Sequence, residues 1–162
     1  MDEKQFNEQW IVEADVLSME DCLQIEDEYL ACEHPWWTKS HTNHFTVIVV
    51  LFDGSMKKYG LYMGHLGVWM RPALRLTNDC ELQKGDVFEY KGKRWRMVLP
   101  DTALCGEAIE EIPYWDGELT INGWILPDGT QLENDQFNAH EGSYLQRRLL
   151  KWADSLGIPT AK

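Results

Sequence analysis

The run from Phe45 to Phe52, FTVIVVLF, limits this chain more than any other stretch. Its only polar residue is Thr46, so it lacks the alternation of a strand with one wet face. A short, β-branched run of this kind reads as a strand covered on both faces. Asp53-Gly54-Ser55 follows at once, and Asp-Gly supplies the positive φ angles of a tight hairpin turn. Trp36-Trp37 stands before the run and Arg71-Pro72-Ala73-Leu74 after it. Each tryptophan buries a large apolar area. A β core therefore organises residues 35–76, and that stretch carries no catalytic constellation.

At 162 residues the chain fits a single domain, 1–162, in three blocks: 16–76, a hairpin block 78–112, and a meander plus terminal helix 113–162. Eight tryptophans and 44% apolar residues suffice for a core. No apolar run approaches the ~20 residues of a membrane span. The opening MDEKQFNEQW lacks the basic-then-apolar pattern of a signal peptide, so the expected location is cytoplasmic, with no membrane partner. Cys22, Cys32, Cys80 and Cys105 show no zinc-site spacing and read as reduced thiols.

The net charge of −12 is unevenly spread. Residues 1–33 hold 11 acidic and 1 basic residue, residues 34–99 hold 5 and 10, and residues 100–162 hold 11 and 4. Direct nucleic-acid binding is disfavoured, because neutralising phosphates needs concentrated Lys and Arg. The acidic flanks read as solvated surface, or as a face for a basic partner.

Along the chain, residues 1–15 suit a helix or an edge strand. Ser18 is an N-cap for a helix reaching about Cys32, with Glu20 and Asp21 in its first turn, and His34-Pro35 closes it. Thr38–His44 and the glycine-spaced segment 57–66 read as exposed connections. Tyr59 and Tyr62 in the second either present side chains or cap the core. Val87–Tyr90 and Arg94–Leu99 form a hairpin around Lys91-Gly92-Lys93. By the two-residue period Trp95, Met97 and Leu99 share one face, and Arg94, Arg96 and Val98 the other. Asn122-Gly123 and Pro127-Asp128-Gly129 divide a three-stranded meander. Ser143 and Gln146 make a capping-box pattern, after which Leu145, Leu149, Trp152, Ala153 and Leu156 form one apolar helix face ending at Gly157.

Trp36-Trp37-Thr38-Lys39-Ser40, Asp53-Gly54-Ser55 and Gly67-Val68-Trp69-Met70-Arg71-Pro72-Ala73-Leu74 together resemble a bacterial and phage-associated family. Its members carry a WWLRSP-like opening, a central DGS turn and a closing GVRPAL. Leu82–Tyr90 with Gly92, Trp95 and Ala103-Leu104-Cys105 is similar to that family's second block. The likeness covers roughly residues 16–112. Thr38-Lys39 stands where the family has Leu-Arg, His41 where it has proline, and Trp69-Met70 lengthens the closing motif.

The resemblance implies an α+β fold. It would be a C-type-lectin-like twisted, mainly antiparallel sheet with flanking helices and a C-terminal amphipathic helix, as in formylglycine-generating enzymes and the variable proteins of diversity-generating retroelements. The function it implies is non-catalytic binding of a protein or surface ligand. The face would be Thr38, Lys39, His41, Asn43, His44, Lys57, Tyr59, Tyr62, Met63 and His65. Trp36, Trp37, Asp53, Gly54, Arg71 and Pro72 serve as scaffold, with a carboxylate inside the domain the natural mate of Arg71. A second expectation is an acidic phage-type inhibitor, anti-CRISPR-like, that blocks a host nucleic-acid-binding protein by nucleic-acid mimicry, through acidic residues of 1–33 (Glu20, Asp21, Glu26, Asp27 and Glu28) or of 107–118.

No nucleophile-elbow, P-loop, dinucleotide or zincin motif is present. An oxidase would need a reactive cysteine pair; Cys80 and Cys105 are the only counterparts, outside any matching motif, so no enzyme is expected. His41 and His44 lack a third ligand nearby, so neither metal nor cofactor is expected.

Overall fold

A computed structural model describes residues 3–43, 46–60, 68–111, 118–120, 123–125, 129, 131–133 and 137–160. The fold is mixed α+β, mostly sheet. In chain order come β1 (Glu3–Lys4), a 3-10 turn (Glu8–Trp10), β2 (Ile11–Val16), α1 (Met19–Cys22), α2 (Asp27–Leu30), β3 (Trp36–Asn43), β4 (Thr46–Val50) and β5 (Met56–Gly60). β6 (Trp69–Met70), β7 (Pro72–Leu76), β8 (Val87–Tyr90), β9 (Lys93–Leu99), β10 (Thr102–Cys105) and β11 (Glu110–Glu111) follow. The chain then runs through β12 (Glu118–Thr120), β13 (Gly123–Ile125), β14 (Gln131–Glu133) and α3 (Phe137–Leu156).

Two open sheets carry the structure. The six-stranded sheet has the order β1-β8-β9-β10-β7-β2 and the five-stranded sheet β11-β6-β3-β4-β5. Each is antiparallel except for one parallel pair, β1–β8 in the first and β3–β6 in the second. β12–β14 form the expected antiparallel meander, with Trp124 opposite both Leu119 and Leu132.

β4 is covered on both faces, as its apolar continuity requires. Trp36 lies opposite Val50 and Trp37 opposite Val49. Val50 and Trp36 belong to one core cluster, with Leu17, Ile25, Leu30, Val98 and Leu104. Val49 and Trp37 belong to the other, with Phe88, Trp95, Leu149 and Ala153. The tryptophan pair thus anchors both halves of the core. The covered run is shorter than expected, since Phe52 is 62% exposed on the turn. That turn requires its glycine: Gly54 has φ +88°, and a Cβ there would lie 2.2 Å from the Asp27 carbonyl oxygen.

The helix expected over 18–32 is instead two single turns. Ser18 caps α1 in a full capping box with Asp21. α2 ends at Leu30 because Ala31 turns extended. The 1–15 segment supplies an edge strand to each side of the six-stranded sheet, and Phe6 stacks on Phe88 at 4.0 Å. The β8–β9 turn uses Lys91 at φ 52° and Gly92 at φ 74°, the two positive angles of a type I′ hairpin.

α3 begins six residues before Ser143, so that serine lies inside the helix and not at its cap. Leu145, Leu149 and Ala153 are buried against β2 and β3, whereas Trp152 is half-buried beside Trp95. Gly157 at φ 73° ends the helix, and Ile158 N–H donates back to the Ala153 carbonyl.

Candidate functional site: an arginine cleft where the two sheets join

Arg71 is the single residue between β6 of one sheet and β7 of the other. Pro72 begins β7, a position a strand gives to proline without losing a needed donor. The junction turns Arg71 inward, and the residue is only 4% exposed. Its Nε donates to the Cys105 carbonyl at 2.7 Å, and its Nη1 to the Leu30 carbonyl at 3.0 Å. Trp36 Nε1 donates to the same Leu30 oxygen at 3.1 Å, and the guanidinium carbon lies 5.3 Å from the Trp36 ring centroid.

The expected carboxylate mate is not there. Among the described residues both partners of Arg71 are neutral carbonyls. Carbonyls orient a guanidinium without cancelling its charge. Nη2 has no hydrogen-bond partner among the described residues, and it is not sealed away: the one buried, unpartnered side-chain polar atom there is Thr77 Oγ1. Burial lowers the Arg71 pKa from its ordinary value; the nearby Cys32, Cys105 and Cys22 oppose this, and Arg96 adds to it. Arginine remains charged at neutral pH even so.

Arg71 borders a cleft of about 250 Å³ lined by β9, α2 and β10. β9 alternates as its sequence predicts as far as Val98. Trp95 and Met97 enter one core cluster, while Arg94, Arg96 and Val98 line the cleft; beyond a register shift against β10, Leu99 packs with the cluster of Val98 and not, as expected, with Trp95 and Met97. Arg96 lies 5.0 Å over the Tyr29 ring and has no acidic partner among the described residues. Arg94 donates to Glu3 at 2.8 Å and is 68% exposed. Glu28 stands at the rim. Gly106 closes the floor by donating to the Arg94 carbonyl at 2.8 Å, and a Cβ there would come within 3.1 Å of that oxygen. Two guanidinium groups with no ion-pair partner among the described residues, one of them buried, can receive an oxyanion.

The segments expected as binding connections are strands where described. Thr38–Asn43 belongs to β3 and Lys57–Gly60 to β5, with β4 between them. Thr38 is 1% exposed and its hydroxyl donates to the Ile48 carbonyl at 2.7 Å, so it is a core residue and not a presented one. Lys39 pairs with Asp15 at 3.1 Å. His41 and Tyr59 lie in one cross-strand row through Val47, Asn43 ends β3, and Lys57 is exposed on β5. His44, Tyr62, Met63 and His65 lie outside the described residues.

The acidic residues divide. Asp21 is held by Arg75 at 2.8 Å and by Ser18, and Glu26 pairs with Lys84. Glu20 and Asp27 are exposed. Glu28 belongs to the arginine cleft.

All four cysteines are free thiols. Burial pushes the Cys105 thiol up to about 11 and raises Cys80 as well, which keeps both protonated. Among the described residues no three His, Cys, Asp or Glu side chains are placed to hold a metal ion. Nor is any described helix long and apolar enough to cross a membrane. No protein-family model, characterised protein or solved structure significantly matches the chain.

Proposed function

We propose that this chain is a non-catalytic binding protein that seats an anionic group of a protein ligand between Arg71 and Arg96. The observation that carries this reading is the Arg71 guanidinium, buried, held by two neutral carbonyls with one nitrogen unbonded among the described residues, on a residue that lines a cleft. A buried charge without a counter-charge is unfavourable. An entering anion relieves it, so affinity follows from the architecture. The C-type-lectin-like identity belongs to the same proposal. It is supported by the tryptophan pair, the DGS turn and the Arg-Pro junction all serving as framework around this cleft. The acidic stretch 20–28 supports a separate inhibitory face less well, because Asp21 and Glu26 are engaged within the chain.

The test is an anion titration followed by backbone amide shifts at constant ionic strength. Saturable movement of the Gly106, Ala31 and Arg96 amides is expected, and Arg96→Gln should weaken it. Shifts spread evenly over the lysines and arginines of the whole surface would refute the site.

A further inference from the structure

The charges around the cleft say which anion it takes. Arg94 is neutralised by Glu3 at 2.8 Å. Arg71 and Arg96 remain, with Glu28 at the rim, so the cleft carries a net charge of about +1 by this count. A monoanion balances it. A phosphate dianion overshoots and also meets the Glu28 carboxylate, and like charges at an opening disfavour entry.

Donor geometry points the same way. The Cys105 carbonyl occupies Nε of Arg71 and the Leu30 carbonyl occupies Nη1. The side-on fork of Nε with Nη2, which suits a bidentate oxyanion, is therefore closed. What remains is Nη2, on a residue that lines the cleft together with Arg96. That arrangement serves the two oxygens of a carboxylate and leaves further phosphate oxygens unsatisfied. Val98 and Leu104 with the Tyr29 ring give the cleft an apolar wall. Its volume of about 250 Å³ is below the ~300–1,000 Å³ of pockets that take drug-sized ligands. There is room for one residue-sized group.

Resting on the binding function proposed above, we infer that the anion is a carboxylate carried on a residue-sized group of a protein chain. Two sources share this chemistry, an Asp or Glu side chain and a chain-terminal α-carboxylate.

The experiment titrates the full chain with three probes at pH 7.4 and fixed ionic strength, reading the same amides. N-acetyl-leucine carries a terminal carboxylate on an apolar group, N-acetyl-aspartic acid α-amide carries only a side-chain carboxylate, and phenyl phosphate carries a dianion. At least one carboxylate should bind about tenfold more tightly than phenyl phosphate, and the tighter of the two names the source. Glu28→Gln should narrow the gap by strengthening the phosphate. Arg96→Gln, at a partly exposed position where folding is not in question, should weaken both carboxylates. Phenyl phosphate binding more tightly than both carboxylates would overturn the carboxylate assignment and leave the anion-binding function standing. Failure of all three probes to move these amides would overturn both.

Discussion

Arg75→Met tests how the two sheets are held together. Arg75 on β7 donates to Asp15 of β2 at 3.0 Å, to Asp21 of α1 at 2.8 Å and to the Thr102 hydroxyl of β10 at 3.0 Å. Lys39 of β3 reaches Asp15 at 3.1 Å, so the cluster ties the five-stranded sheet to the six-stranded one. The side chains of Asp15, Asp21 and Arg75 are 9%, 19% and 21% exposed, which limits solvent screening. Removing one partner of a buried pair costs about 3–5 kcal/mol. Here Asp15 keeps Lys39 and the Val16 N–H, and the Asp21 carboxylate keeps the Ser18 N–H and hydroxyl. The low end, about 3 kcal/mol, is therefore expected at pH 7. Urea unfolding with an unchanged m-value measures it. The loss has a pH signature. Burial pushes the Asp21 carboxyl up, but bonds from Arg75 and Ser18 and the Arg75 charge outweigh it and leave its pKa lowered. A depressed carboxylate pKa stabilises the fold above the unfolded value and loses that contribution as pH falls through the folded one. The gap between wild type and Arg75→Met should then narrow below about pH 4, near the unfolded aspartate value. A loss under about 1 kcal/mol at pH 7 would place the cluster with exposed surface pairs. A gap of the same size at pH 3 would show that packing, not charge, is what the arginine contributes.

Gly54→Ala should destabilise by more than about 2 kcal/mol, from the positive φ and from the Asp27 carbonyl 2.2 Å from the new Cβ; a melt within a degree of wild type would refute that docking. Leu149→Ala, at a fully buried position of α3, should cost about 2–5 kcal/mol. Trp152→Ala should fall below the ~3–5 kcal/mol of a fully buried aromatic, because half-buried Trp152 meets Trp95 at a tilt with centroids 6.4 Å apart; equal or larger loss at Trp152 would reverse the assignment of the helix face. Burial, with the Asp21 charge adding to it, pushes the Cys22 thiol up to about 12, and burial pushes Cys105 up to about 11. A disulfide reagent at pH 8 should leave both unmodified until denaturant is added, and rapid native labelling of Cys105 would contradict its placement.

The parts of the fold legible in the sequence are those fixed by neighbours along the chain. The covered β4 shows in apolar continuity, the β8–β9 hairpin in its turn glycine, the β12–β13 pair in the apolar runs on either side of Asn122-Gly123, and the inner face of α3 in its spacing. The start of α3 was hidden because Ser143 and Gln146 make a cap-like pair at i and i+3, a spacing that also occurs inside any helix. The end of α2 was hidden for a different reason. The Leu30 carbonyl accepts from Trp36 and Arg71. An acceptor that would extend the helix is taken by groups from later in the chain, and helical spacing over 18–32 carries no trace of that. Thr38 was misplaced likewise: its hydroxyl satisfies the Ile48 carbonyl inside the sheet, a role that polarity alone reads as exposure.

The same physics explains how the cleft was half legible. The alternation Arg94-Trp95-Arg96-Met97-Val98 marks a charged strand face from sequence alone, and that face is the cleft wall. Arg71 was legible as a buried framework cation, and the ordinary inference from a buried cation is a carboxylate beside it. The acceptors instead come from Leu30 and Cys105, residues 41 and 34 positions away, and backbone oxygens have no signature in a sequence. That substitution matters for function. A carboxylate at either place would have neutralised Arg71 and made it a purely structural tie between the sheets. Two carbonyls orient it, satisfy two donor directions and leave the positive charge whole, so the residue that joins the sheets is also the residue that can receive an anion.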